Sequence, residues 1–66
     1  MPVVIVEMWE GRTDDQKRKL VKDMTNAFVN IGVPAEAVQI ILKENPKSCW
    51  AQGGGLCSDF EAPHGA

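Results

Sequence analysis

Two nearly continuous apolar segments, separated by one amphipathic segment, limit most strongly what this chain can fold into. Residues 3–8 and 38–44 are short and rich in β-branched side chains, and each predicts a strand. Strands with so little polar alternation are typical of sheets that are covered on both faces. One helix covers only one face of such a sheet, and a chain of 66 residues has no second long helix to offer. We therefore expect another copy of the chain to cover the other face.

The segment between the two strands carries the signals of a helix start and a helix stop. Thr13 is the expected N-cap, and Gln16 completes a capping box with it. The helix is expected to run from about Asp14 to about Ile31, with Gly32 as the glycine that follows its last turn. Its apolar side chains follow one stripe at helical spacing: Leu20, Val21, Met24, Ala27, Phe28 and Ile31. A connection of this length predicts parallel strands joined by a right-handed crossover.

The remaining chain predicts smaller elements. Residues 35–37 are expected to make a short helical turn, and residues 50–57, with three glycines in the middle, are expected to form a small hairpin. The fold class is therefore α/β (α+β), a single βαβ unit with a C-terminal β-hairpin. Residues 1–60 are expected to form one domain, and residues 61–66 a flexible C-terminal tail.

The size of the chain calls for a further source of stability. Domains this short usually rely on disulfides, a metal or partner subunits. Cys49 and Cys57 are the only cysteines and His64 is the only histidine, which is not a four-ligand zinc pattern, so no metal is expected. The first ten residues carry Glu7 and Glu10 and lack a basic start, so we expect no secretory signal and a reducing, cytoplasmic location. By elimination, self-association is the expected source of stability.

Composition excludes several classes of partner. The net charge of −2 gives no basic footprint for nucleic acid, and no apolar run approaches the roughly 20 residues of a membrane span. The glycine run at residues 53–55 lacks the strand-to-helix context of a phosphate loop, so a hairpin turn is expected there. We therefore expect neither nucleic acid nor a membrane as a partner.

The opening of the chain resembles the 4-oxalocrotonate tautomerase family. That family begins with proline after removal of the initiator Met, and a strand follows. The helix then starts with the pattern Gly-Arg-Ser/Thr-Asp-x-Gln-Lys, and residues 11–17 match every fixed position of it. The resemblance continues through the second strand and resumes at Trp50 before the glycine hairpin. It implies a βαβ subunit that pairs into a four-stranded sheet, three such dimers in a hexamer, and cofactor-free conversion between enol and keto forms of a small 2-oxo acid.

The resemblance also implies roles for three residues. Pro2, once Met1 is removed, corresponds to the general base. An ordinary α-amino group has a pKa near 8 and a prolyl amine is more basic, so a dry pocket and nearby cations must lower its pKa. Arg12 corresponds to the arginine that binds a substrate carboxylate and helps to lower the pKa of Pro2. Trp50 takes the place of an aromatic residue, usually phenylalanine, that walls the site.

Gln39 is the main departure from the family pattern. The best-known members carry arginine there, which reaches a neighbouring subunit's site and holds a second carboxylate. Glutamine donates only neutral hydrogen bonds, which are about half as strong as charged ones. This favours a monoacid, weaker activity on a diacid, or replacement by Lys43 or Lys47. Trp9 is expected either to wall the pocket or to pack at an interface.

Two other functions remain open from the sequence. One is hydration or dehalogenation of unsaturated acids, which needs a cationic Pro2 and an acidic residue such as Glu7, Glu10 or Glu44 to activate water. The other is a non-catalytic oligomeric binding module, in which Gln39 marks a site that no longer turns over.

Overall fold

The structure, a computed structural model, describes residues 1–60, so the expected tail at residues 61–66 lies outside it. The main elements are strand β1 (Val3–Trp9), helix α1 (Asp14–Val29) and strand β2 (Gln39–Asn45). A hairpin of β3 (Ala51–Gln52) and β4 (Gly55–Leu56) follows, and short 3-10 turns lie at Ala35–Ala37, Lys47–Cys49 and Cys57–Asp59. Strands β1 and β2 pair in parallel, from Val3 opposite Gln39 to Trp9 opposite Asn45. The βαβ unit with a C-terminal hairpin is therefore confirmed.

The capping box predicted at the start of α1 is present. The Thr13 hydroxyl accepts a hydrogen bond from the Gln16 backbone N–H at 3.1 Å, and the Gln16 side chain accepts one from the Thr13 N–H at 2.9 Å. Asp14 and Asp15 occupy the first turn, where the helix dipole favours negative charge. Loss of such a cap typically costs about 1 kcal/mol, so this junction fixes the entry of α1 firmly after β1.

The end of α1 differs slightly from the prediction. The helix ends at Val29 rather than near Ile31, because the last turn tightens and Ile31 N–H donates to Phe28 O. Gly32 N–H then donates to Val29 O, and Val33 N–H donates to Phe28 O. This pair of hydrogen bonds is a Schellman motif, with Gly32 at a φ of 99° in the left-handed region. Gly32 is therefore the terminating glycine, as predicted.

The glycine run forms the predicted hairpin. Gly53 and Gly54 have φ values of 63° and 86°, and they connect two antiparallel strands as a two-residue loop. Positive φ at both positions is the requirement of a type I′ turn, which matches the twist of the flanking strands. Cys57 N–H donates to Trp50 O at 2.7 Å, which extends the pairing by one step.

The two faces of the β1–β2 sheet are covered very differently. Helix α1 lies over one face, where its Lys17 pairs with Glu44 and its Leu20 lies beside Met8. On the opposite face, Val3, Ile5 and Ile41 are 51%, 56% and 46% exposed. The chain offers no element to cover these side chains within residues 1–60, so the uncovered face inferred from the sequence is present.

The core of the single chain is small and lies at one end. The buried apolar residues among those described are Met8, Trp9 and Cys57, and α1 contributes none. The radius of gyration is 14.6 Å, whereas a compact chain of this length would have about 11 Å. These values describe a subunit that leaves much of its apolar surface for contact with something else.

Candidate functional site

Pro2 lies at the amino end of the sheet, beside Gln39. Its carbonyl accepts a hydrogen bond from the Gln39 backbone N–H at 3.0 Å, and this bond fixes the backbone of Pro2 against the start of β2. The Pro2 ring is partly exposed, and the Gln39 side chain is exposed. Proline fits here because its position immediately before β1 does not require a backbone N–H.

Arg12 lies at the other end of the same sheet. It follows β1 and lines an open cleft of about 190 Å³ together with Met8, Gln16, Lys17 and Leu20. The seven residues of β1 separate Pro2 from this end, and at 3.3 Å per residue they span roughly 23 Å. Within one chain, Arg12 therefore does not contact Pro2 and cannot lower the pKa of its amine.

Trp50 joins the end of the sheet that carries Arg12. Its ring meets the ring of Trp9 edge to face, with centroids 5.9 Å apart and an interplanar angle of 76°. Lys47 places its Nζ 5.1 Å from the centroid of the Trp9 ring, which is a cation–π contact. Trp50 remains partly exposed, so it can still form a wall of a pocket at this end.

Trp9 is buried by its own chain, which neither of the two expected roles described. It is only 4% exposed, and its Nε1 has no hydrogen-bond partner in residues 1–60. A buried indole without a partner costs free energy, since a donor removed from water is normally paired. The ring therefore acts mainly as the support on which Trp50 and Lys47 rest. Its neighbours come from the hairpin and its preceding turn, which no local pattern around residue 9 could reveal.

Charge in the Arg12 cleft is set by an ion pair between α1 and β2. Lys17 Nζ pairs with the Glu44 carboxylate, and both side chains are partly shielded from solvent. The hydrogen bond to Glu44 raises the pKa of Lys17 above its ordinary value of 10.5. Glu44 thus neutralises Lys17, while Arg12 has no carboxylate within salt-bridge distance in the described part of the chain. Arg12 is the cation that this cleft offers to an anionic ligand.

The pair between Lys17 and Glu44 should contribute to stability in a pH-dependent way. Because the folded state raises the pKa of Lys17, this contribution is complete below pH 10.5 and is lost as pH rises through the folded pKa. Urea unfolding at fixed protein concentration should show Glu44→Gln less stable than the parent at neutral pH, and the two curves should converge at strongly alkaline pH. Asp23→Asn is the control, because its partner Lys19 is 72% exposed and such a surface pair contributes little. A difference that persists unchanged at alkaline pH would contradict this assignment.

Asn45 holds the carboxyl ends of the strands together, a role that the sequence pattern did not reveal. Its Nδ2 donates to Glu7 Oε1 at 3.0 Å, to Lys43 O at 3.2 Å and to Met8 O at 3.3 Å. Its own carbonyl accepts from Glu10 N–H at 3.0 Å. The one available signal was that Asn45 precedes Pro46, where a polar side chain often satisfies the end of a strand.

The three acids considered as water-activating residues do not lie beside Pro2. Glu7 is bound by Asn45, Glu44 is bound by Lys17, and Glu10 follows the carboxyl end of β1. All three therefore belong to the end of the sheet away from the proline. Residues 1–60 also contain no group of three or more His, Cys, Asp and Glu side chains able to hold a metal, and no helix long and apolar enough to cross a membrane.

The cysteines are both free thiols. Cys57, directly after β4, is fully buried, whereas Cys49 is exposed in the turn before the hairpin. Neither lies in the Arg12 cleft. The candidate site thus consists of two separate halves: Pro2 with Gln39 at the amino end of the sheet, and Arg12 with Trp50 at the carboxyl end.

Comparison with known proteins agrees with this architecture. The family model described as tautomerase enzyme matches residues 2–59. A probable tautomerase of Lactiplantibacillus plantarum is 44% identical over 63 residues, covering 94% of this chain and 98% of the relative. The 2-hydroxymuconate tautomerase of Bacillus subtilis is 42% identical over 62 residues, covering 92% of this chain and 100% of the relative.

Solved structures show the same relationship. The crystal structure of YwhB, described as a homologue of 4-oxalocrotonate tautomerase, superposes with a TM-score of 0.85 at 41% identity, covering 91% of this chain and all of that one. A second homologue of the same enzyme superposes with a TM-score of 0.83 at 43% identity, covering 94% of this chain and 100% of that one. The protein therefore belongs to the tautomerase family and is an isomerase of the 4-oxalocrotonate tautomerase type.

Proposed function

We propose that the protein interconverts enol and keto forms of a 2-hydroxydienoate or 2-oxo acid without a cofactor, with the Pro2 amine as general base. The observation that carries the proposal is the place of Pro2. It is the first residue of the family match, and its backbone is tied to β2 at an open end of the sheet. The test is an activity assay on an enol acid. Protein with a free Pro2 amine should turn the acid over, and protein in which that amine is blocked should not.

The chemistry depends on the state of the Pro2 nitrogen. With Met1 attached, this nitrogen belongs to an amide and is not basic; removal of Met1 makes it a secondary amine. The neutral amine takes the proton from the enol hydroxyl while the C–O bond becomes a carbonyl. The electron pair moves along the diene to carbon, which takes the proton back from the prolinium. The pKa of Pro2 must be lowered for this step, because a general base works best when its pKa lies near the operating pH.

A complete site requires a second chain. Pro2 and Arg12 lie at opposite ends of β1, roughly 23 Å apart, so no small acid can contact both in one subunit. Two copies arranged with their strands in opposite directions bring the amino end of one sheet next to the carboxyl end of the other. Arg12 and Trp50 of one subunit then complete the site around Pro2 of its neighbour.

The uncovered sheet face supports a larger closed assembly. Val3, Ile5 and Ile41 form an apolar surface that pairing along the sheet edge does not cover. A relative from Chloroflexus aurantiacus, at 29% identity and a TM-score of 0.83, is described as a heterohexamer. We infer that this chain likewise forms a hexamer, built from three dimers whose uncovered faces meet. Burial within it also supplies the dry surroundings that lower the pKa of Pro2.

The class of substrate follows from the charges that the two halves offer. Arg12 presents a planar guanidinium that binds a carboxylate through two parallel hydrogen bonds. Gln39, beside Pro2, can hydrogen-bond a carbonyl or hydroxyl of the substrate but adds no charge. A 2-oxo or 2-hydroxy acid with at least one carboxylate therefore fits the site. The Bacillus subtilis relative is named for 2-hydroxymuconate, a dicarboxylate of this class.

Replacing Gln39 with arginine should shift the preference towards diacids. We expect Gln39→Arg to raise kcat/KM for 2-hydroxymuconate about 10-fold and to change that for the enol of phenylpyruvate much less, since only the diacid has a second carboxylate. Gln39→Met is the matched control, because it changes the side chain at the same length without adding a charge. Steady-state kinetics on both substrates is the measurement. An equal gain on the two substrates would show that Gln39 does not set this preference.

A further inference from the structure

Lys47 lies at the same end of the sheet as Arg12. It follows the end of β2 by two residues, and Arg12 follows the end of β1 by three. Trp9 and Asn45, the last residues of the two strands, are opposite each other in the register. Lys47 and Arg12 therefore leave the sheet from adjacent strand ends.

The ammonium group of Lys47 lies over the ring of Trp9. Its Nζ lies 5.1 Å from the centroid of the Trp9 ring, and the Trp9 ring is braced by the edge-to-face contact with Trp50. A cation over an aromatic face is attracted without being neutralised, so it keeps its capacity to bind an anion. Because Trp9 contacts both Lys47 and Trp50, Lys47 lies close to Trp50, the proposed wall of the pocket.

Lys47 also keeps its charge uncompensated. In residues 1–60 no carboxylate lies within salt-bridge distance of it, whereas Lys17 at the same end is neutralised by Glu44. Of the three acids at this end, Glu7 is bound by Asn45 and Glu44 by Lys17, and Glu10 pairs with neither Arg12 nor Lys47. Within the described chain, Arg12 and Lys47 are therefore both free of a paired carboxylate and available to an anionic ligand.

Lys43, the other lysine considered for this role, is placed differently. It lies directly across from Glu7 in the β1–β2 register, so an opposite charge is its cross-strand neighbour. Lys43 therefore has an acid as its cross-strand neighbour, whereas Lys47 lies beyond the end of β2, outside the paired register.

We propose that Lys47 is a specificity-determining residue that binds the second carboxylate of a diacid, the charge that Gln39 does not supply. The inference rests on the proposed function, because it assigns a ligand to the same site. Arg12 binds the first carboxylate, and Lys47, supported by Trp9, binds the second. The chain is then selective for a dicarboxylate enol over a monocarboxylate one despite the neutral residue at position 39.

Kinetics of Lys47 variants on two substrates tests the proposal. Lys47→Met keeps the unbranched stem over Trp9 and removes the charge, Lys47→Arg keeps the charge, and Lys43→Met is the control for a lysine lost elsewhere. For Lys47→Met we expect KM for 2-hydroxymuconate to rise about 10-fold, with kcat little changed and KM for the enol of phenylpyruvate within about 2-fold of the parent. Lys47→Arg and Lys43→Met should behave like the parent. An equal change on both substrates, or on neither, would overturn the proposal.

A binding measurement separates this proposal from the catalytic one. Trp9 and Trp50 are the two tryptophans of the chain, so their fluorescence reports binding of an unreactive acid at this end. Fumarate, a diacid, should bind Lys47→Met about 10-fold more weakly than the parent, while crotonate, a monoacid, should bind both alike. That result supports Lys47 even if no enol is turned over, in which case the tautomerase proposal alone fails. Equal fumarate affinity in the two proteins, or no fumarate binding by either, would rule out Lys47.

Discussion

Protein that retains Met1 in front of Pro2 is expected to lose at least about 100-fold in kcat/KM on an enol acid relative to protein that begins at Pro2. A positioned general base typically contributes 10²–10⁴-fold, and an amide nitrogen cannot perform that role. The fold should be unaffected, because Met1 is 86% exposed and β1 begins only at Val3. Mass spectrometry of the intact protein establishes which form is present, and a continuous absorbance assay measures the rate.

Two further measurements test whether the Pro2 amine is the base. Pro2→Ala with Met1 removed exposes a primary amine, so it should retain more activity than the Met1-bearing form. With a neutral amine as the base, kcat/KM should rise with pH and level off above the pKa of Pro2. A rate that falls through the same range would favour a cationic Pro2 and hence the hydratase alternative. Equal activity with and without Met1 would show that Pro2 is not the base.

Replacing Ile5 with lysine is expected to break the assembly and abolish activity. In the single chain, Ile5 is 56% exposed on the open sheet face, so a lysine there would cost a monomer almost nothing. If another copy covers this face, the same lysine must bury a charge without a partner, at a cost of several kcal/mol. We therefore expect Ile5→Lys to sediment as a smaller species and to lose at least about 100-fold in kcat/KM, since the shared site is no longer complete.

Asn26→Lys is the matched control for the assembly. It adds the same positive charge at an exposed position of α1, away from the open sheet face. Sedimentation velocity at one protein concentration should give the parent value for Asn26→Lys and a lower one for Ile5→Lys. Parent-like sedimentation of Ile5→Lys, or a parent that is itself a stable monomer, would contradict both the covered face and the site shared between subunits.

Local elements were predictable because their signals are carried by neighbouring residues. The Thr13 and Gln16 capping box, the terminating Gly32 and the Gly53–Gly54 turn each depend on hydrogen bonds or φ values set within a few residues. The parallel pairing followed from the length of the crossover. Only the last turn of α1 differed, because the signal of a terminating glycine does not specify where the hydrogen bonds begin to tighten.

Contacts between distant segments were not predictable from the same patterns. The burial of Trp9 depends on Trp50 and Lys47, about 40 residues away in the chain. Asn45 binds Glu7 across the sheet, at a sequence separation of 38. No periodicity of apolar residues encodes such pairs, since it specifies which face a side chain takes and not which partner it meets there.

The sequence by itself determined the βαβ unit, the uncovered sheet face and the resemblance that directs attention to Pro2, because strand and helix periods and short motifs are local properties. Only the tertiary structure decided where the candidate residues lie. It places Pro2 and Gln39 at one end of the parallel sheet and Arg12, Trp50 and Lys47 at the other. The reason is that an extended strand carries residues ten positions apart to opposite ends of the subunit. A function that needs both ends is therefore a property of neighbouring copies rather than of one chain.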